Sequence, residues 1–266
     1  MGEIISMRKQ NTRKIGLVLD FVTDLSSAMI VAGANIERVE LAIYRILEAY
    51  GLRDISVFLL TTDIIVSARS ESGKYTSRQR HIPPSDMHLE RLKRLNRMSF
   101  RIVRDRPDPE ELSGILEHTL HVKEYPEIVQ VGGRLAAMAC TCHIFGGGVP
   151  DMLCVMALTV ILYYLQKLLT RPSIDKVLTN AISMFVCSSL AIFLCAIGFG
   201  ENYVVIVITN CMLMMPGIPL VNAVRNILCN NELNGILQFL KVLLEVVAIA
   251  VGIVASVRCF GHFLIT

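Results

Sequence analysis

Thr209-Asn-Cys-Met-Leu-Met-Met-Pro-Gly-Ile-Pro-Leu-Val-Asn-Ala-Val-Arg225 is at odds with the sequence around it. It begins inside an apolar segment long enough to enter a bilayer, yet Pro216 and Pro219 remove backbone donors and Gly217 loosens the helix between them. Hydrocarbon offers no water to the freed carbonyls. A broken helix at this depth must therefore be buried in protein or line a cavity. Interrupted spans are where secondary transporters hold their solutes.

Outward from this stretch the chain divides in two. Most of its charge precedes Glu127 and long apolar runs follow, which sets a domain at residues 1–125 and a transmembrane domain at 126–266. The mean hydropathy of +0.54 comes from the second part. A net charge of +3 is too small to point to nucleic acid. All eight cysteines lie in the apolar part without C-x-x-C or zinc-finger spacing, and read as small helix-packing residues. Asp20 and Asp24 interrupt the only early apolar run, so it does not read as a cleavable signal peptide.

In the first part, Val18, Phe21, Val22, Leu25 and Met29 recur at helical spacing over residues 14–32, and a second amphipathic helix runs from Ile36 to Tyr50, ending at Gly51. Residues 54–61 and 63–68 read as paired strands, and a turn at Ser72-Gly73 leads to a third at 74–82. Pro83, Pro84 and Ser85-Asp86 open a basic helix over 87–104, and another helix is expected to start at Asp108-Pro109-Glu110. Glu117-His118-Thr-Leu-His121 lacks the zincin order and reads as a solvated helix end rather than a metal site. The cluster of Arg78, Arg80, His81, Arg91, Lys93, Arg94 and Arg97 reads as a solvated face, with contact to anionic lipid as the alternative.

In the second part, about five spans are expected, near residues 128–145, 150–169, 177–197, 203–221 and 236–257. Lys167, Arg171 and Lys176 crowd one loop while 146–151 and 198–202 carry no lysine or arginine, which places the amino-terminal domain in the cytoplasm. The fold class is thus an α-helical polytopic membrane protein with an N-terminal cytoplasmic α/β domain. Gly132, Gly133, Ala136, Ala137, Ala139, Cys140, Thr141 and Cys142 strip the first span of bulk, which suits an interior position.

Polar residues at depth are the candidates for function. Asn210, Pro216, Gly217, Asn222 and Arg225 are candidate substrate-binding residues, Arg225 reading alternatively as a positive-inside anchor. Asp151, His143 and Glu245 are candidate coupling residues. Each has a structural alternative: Asp151 complements a helix dipole, His143 packs, and Glu245 pairs with Lys241 one turn away. Arg134 reads as a depth charge or as snorkelling to the surface. Paired intramembrane aspartates, Gly-x-Ser-x-Gly and zinc motifs are lacking, so no catalytic residue, metal or cofactor is assigned.

With Gly33-Ala-Asn-Ile-Glu-Arg-Val-Glu40, Gly146-Gly-Gly-Val-Pro-Asp151 and Met215-Pro-Gly-Ile-Pro-Leu-Val-Asn-Ala-Val-Arg225 set out, the chain resembles the threonine/serine exporter family. The resemblance implies a secondary exporter of small hydrophilic metabolites in the cytoplasmic membrane of a bacterium. Long family members carry a further block of spans, so this chain is similar to the larger component of a split system with a smaller membrane partner. By that resemblance the substrate is a threonine/serine-type amino acid or a C4-dicarboxylate such as succinate. The leading expectation is export by alternating access around Pro216 to Arg225, coupled to a proton gradient. Asn226 stands where the family pattern has an aspartate. The alternative from another class is a membrane-anchored sensor or scaffold.

Overall fold

A computed structural model describes residues 2–70, 73–83, 87–121, 125–169 and 175–264. Ser72, Pro84, Ser85, Asp86 and Arg171, used above for turns and orientation, lie outside them. The chain forms two compact units: Met1–Lys123 with Asn222–Gln238, and Glu124–Val221 with Phe239–Thr266. Residues 222–238, read from sequence as part of the membrane domain, thus pack with the amino-terminal unit.

The first unit begins with α1 (Gly2–Val31), which carries Val18, Val22, Leu25 and Met29 on one stripe, each nearly or wholly excluded from solvent. It stops because Gly33 takes φ +95° and the chain closes back, with the Ala34 amide donating to the Met29 carbonyl at 2.9 Å. α2 (Ile36–Ala49) is started by Asn35, whose side-chain oxygen accepts the Glu37 amide at 2.9 Å. β1 (Arg53–Leu59), β2 (Asp63–Arg69) and β3 (Tyr75–His81) form an antiparallel meander in that order. In the central strand Ile64, Val66 and Ala68 point inward at period two and belong to the same core as the α1 stripe.

α3 (Leu89–Asp105) and α4 (Leu112–Leu120) close the core through Leu95, Ile102, Leu112 and Leu116. The helix expected from Asp108 begins four residues later. The Asp108 carboxylate instead accepts the Glu110 amide and Lys14 Nζ (3.3 and 3.0 Å), and its carbonyl accepts the Glu111 amide. A side chain that satisfies its own downstream amide holds a turn rather than a helix.

The second unit contains α5 (Glu127–Ile144), α6 (Val149–Leu169), α7 (Lys176–Ala196) and α8 (Tyr203–Met214). α9 (Gly217–Leu228) and α10 (Glu232–Phe260) each have residues in both units. Three helices, α6, α7 and α10 with its 3-10 extension, are long and apolar enough to cross a membrane, and α8 with α9 makes a fourth if counted as one bent span. α5 is not among them, so this measure supports three or four crossings where about five were expected. Arg134 and Glu127 dilute its apolar content.

Ion pairs and contacts fix the helix directions. α5 and α6 run antiparallel, with Lys167 on Glu127 at 2.7 Å and Arg134 over the Tyr163 ring at 4.8 Å. α7 and α10 run parallel: Lys176 meets Glu245, Gly252 lies against the Ala181 backbone, and Ser189 donates to Ser256 at 3.0 Å. A β-carbon on Gly252 would strike the Ala181 carbonyl, so the two backbones approach as only a glycine permits. Leu153, Phe193, Val204, Leu244 and Val251 point away from the unit's core, an apolar exterior suited to lipid. Most of the small residues of α5 depart from the expected interior position. Gly132, Gly133, Ala136, Ala137 and Cys140 are exposed and Ala139 and Thr141 half-buried, while Cys142 is buried beside Met138.

Candidate functional site

The break in the apolar run is real and local. α8 ends at Met214, α9 begins at Gly217, and the two axes differ by 58°. Pro216 has no amide to offer the Met212 carbonyl and Pro219 none for Met215. The Met215 carbonyl turns instead to the Gly217 amide at 2.8 Å. Pro216 is buried, Gly217 is exposed, and a β-carbon at Gly217 would meet nothing within 4 Å.

One turn and a half before the break, Asn210 is wholly buried. Its side-chain oxygen accepts the Thr159 hydroxyl of α6 at 3.2 Å, and its Nδ2 donates to the Ile206 carbonyl at 3.0 Å. This leaves a polar pair inside an apolar unit, beside a helix that stops short. Thr159 has no sequence signature, since a lone threonine in an apolar helix usually bonds its own backbone.

Asp151 is buried and accepts three backbone amides: Glu201 at 2.8 Å, Asn202 at 3.0 Å and Gly148 at 3.2 Å. The carboxylate fastens the start of α6 to the turn before α8 and supplies an acceptor to three amides. His143 lies exposed in the last turn of α5. Glu245 is 4% exposed and faces Lys176 Nζ of α7 at 3.4 Å. The expected local partner, Lys241, is replaced by one from another helix. On α7 beside this pair, Asn180 Nδ2 and the Ser183 hydroxyl are buried with no hydrogen-bond partner among the described residues.

Asn222 and Arg225 belong to the first unit, whereas Asn210, Pro216 and Gly217 belong to the second. Arg225 Nη2 donates to Glu37 of α2 at 3.1 Å, a bond invisible in sequence because the two residues are 188 positions apart. Asn226 is buried, and its amide donates to Gln238 at 3.1 Å. Asn234, at the start of α10, is 4% exposed and clasps the β1–β2 turn: its Nδ2 donates to the Leu59 carbonyl at 2.7 Å and its oxygen accepts the Thr61 amide at 3.1 Å. Gly235 permits this, because a β-carbon there would press on the Ile227 side chain and backbone.

A family model described as "ThrE: Putative threonine/serine exporter" matches residues 20–260. The chain belongs to the threonine/serine exporter family. A curated relative from Klebsiella aerogenes, named "Probable succinate transporter subunit YjjP", is 24% identical over 124 residues, which is 46% of this chain and 48% of that protein. The match therefore spans about half the length of that relative. No solved structure matches the chain. As a member of this family with helices long and apolar enough to cross a membrane, the chain is a multi-pass membrane protein. In this member of the exporter family, the match includes the α8–α9 break, the Asp151 latch, the Lys176–Glu245 pair and the Asn234 clasp.

Proposed function

We propose that the chain is one subunit of a proton-coupled exporter for a small hydrophilic metabolite, a threonine/serine-type amino acid or a C4-dicarboxylate such as succinate. It works with a smaller membrane subunit in the cytoplasmic membrane of a bacterium, its amino-terminal unit in the cytoplasm, and crosses the membrane about five times if α5 is counted. The name of the Klebsiella aerogenes relative supports both the dicarboxylate and the second subunit. The single observation that carries transport is the 58° break at Pro216 in an otherwise apolar helix pair. Such a break exposes main-chain donors and acceptors at depth, where a solute can use them.

In this reading Asn210 and Thr159 orient the solute before the break, and the main chain at Pro216 and Gly217 supplies further polar atoms. Asn222 and Arg225 act after it. Arg225 engages Glu37 through Nη2, so its other guanidinium nitrogens remain for a substrate carboxylate. Glu245 carries the coupled proton: protonation neutralises it and frees Lys176 from its ion pair. Asp151 positions the α6 and α8 ends, and His143 stands at the exposed end of α5 as a relay.

The experiment is efflux of labelled threonine, serine and succinate from vesicles holding the full chain with its partner subunit, with and without a proton gradient. Pro216→Ala with Pro219→Ala restores both helix donors and favours a straight helix by about 3 kcal/mol for each proline, so flux falls while insertion is retained. Full flux in that variant removes the break from the mechanism. Absence of flux for all three solutes in the unmodified protein leaves a sensor or scaffold.

A further inference from the structure

The basic cluster seen in sequence separates into two parts with different fates. Arg78 pairs with Asp20 at 2.5 Å, Arg80 pairs with Asp24, and His81 faces Asp63 at 3.3 Å, so the β3 part is matched residue by residue. The α3 part is not. That helix carries six arginines and lysines against Glu90 and Asp105, a local excess of +4 that exceeds the +3 of the whole chain.

Four of these cations stand on one face. Lys93, Arg94, Arg97 and Arg101 line a groove of about 370 Å³ between α3 and α4, floored by Met98 and Ile115. Glu90 takes Arg94 at 3.1 Å and reaches Lys93 at 3.9 Å, and it is the one acid among the described residues lining the groove. Arg97 and Arg101 have no ion-pair partner among the described residues. The hydrogen bond from Arg94 holds the Glu90 carboxyl below its usual range, with the charges of Lys93 and Arg97 adding to it. Four like charges converging on one concave surface repel one another unless an anion joins them.

We propose that the α3–α4 groove binds an anion bearing two or more phosphate charges, held by Arg97 and Arg101 with Lys93 and Arg94 at its edge. The planar forks of two arginines match the oxygens of a phosphate, and a single carboxylate would leave the +3 surplus of the lining largely uncompensated. The shared chemistry is that of a free diphosphate and of a phosphate-rich lipid headgroup. The described lining of the groove comes from α3 and α4 of the first unit, and its ligand would act on the exporter without being its cargo.

The test uses the full chain in neutral phosphatidylcholine nanodiscs, titrated calorimetrically with inorganic pyrophosphate at low and high salt. Saturable binding is expected, weakening with salt. It should weaken at least tenfold in Arg97→Ala/Arg101→Ala, and should not change in Arg38→Ala/Arg53→Ala, a pair with the same charge loss on α2 and β1. In a second arm, nanodiscs containing cardiolipin, whose headgroup carries two phosphates, identify a headgroup as the occupant if they lower pyrophosphate affinity and slow hydrogen exchange in residues 90–101. A free anion is identified if they change neither. The proposal is overturned if pyrophosphate does not bind in neutral discs and the anionic discs protect nothing, or if the Arg97/Arg101 double variant binds as the unmodified chain does.

Discussion

Replacing Asn234 by alanine removes both bonds that hold the β1–β2 turn to the start of α10. The Leu59 carbonyl loses its 2.7 Å donor and the Thr61 amide its 3.1 Å acceptor, at a site where Asn234 itself is 4% exposed. A hydrogen bond contributes about 1 kcal/mol net, and a buried group left without a partner costs about 1–3 kcal/mol. The local loss is therefore about 2–4 kcal/mol, with water partly rescuing the Thr61 amide because it is only half-buried. At about 1.4 kcal/mol per factor of ten, the Thr61 amide should exchange roughly 30- to 1,000-fold faster in the variant. Hydrogen exchange with mass spectrometry reads this directly, and the Leu60 amide, bonded to the Asp63 carbonyl at 2.8 Å within the hairpin, serves as the internal reference. Asn234→Asp sharpens the assay, since a carboxylate still accepts from Thr61 but cannot donate to Leu59. Unaltered exchange at Thr61 in the alanine variant would refute the view that this side chain secures residues 222–238 to the amino-terminal unit.

Gly252→Ala forces a methyl onto the Ala181 carbonyl across α7 and α10, and a loss of about 1–3 kcal/mol should appear as a lower melting temperature in detergent. Glu245→Gln should leave insertion intact and make flux insensitive to the proton gradient; retained sensitivity would remove Glu245 from coupling. Asp151→Ala should depress thermal stability as well as flux, because three amides lose their acceptor, and selective loss of flux at full stability would argue for a direct transport role. Tyr50 donates to the Pro107 carbonyl at 2.7 Å, and burial, then the Asp108 charge, push its hydroxyl pKa up to about 12. A folded-state value above the unfolded one gives stability that is complete below pH ~10 and fades as pH rises towards 12, so Tyr50→Phe should flatten alkaline unfolding over that window.

The elements whose pattern is local were legible in the sequence. Short runs rich in Ile, Val, Phe and Leu marked β1 and β2 and a turn signal marked β3, helical spacing marked α1 to α3, and two prolines around a glycine marked the break between α8 and α9. What was not legible depends on residues far apart in the chain. Lys241 lies one turn from Glu245 and looked like its partner, yet the close parallel packing of α7 and α10 puts Lys176 there instead. The small face of α5 was expected to be interior because small residues favour close helix contact; spacing alone does not say which helix makes that contact. Asn234 carries no motif, because a tertiary clasp requires only a short amide at the right place. The candidate site was legible as a break and unreadable as a set of partners: Asn210 predicted nothing about Thr159, nor Arg225 about Glu37.

The amino-terminal unit is discontinuous, since Asn222–Gln238 completes it only after the chain has made the whole run from Glu124 to Val221. During synthesis, therefore, Leu59 and Thr61 emerge from the ribosome long before Asn234 and must wait, uncapped, while the intervening apolar helices enter the bilayer. A fragment ending near residue 123 would be a permanent version of that intermediate, and its solubility and ligand binding would describe an unfinished body rather than the native one.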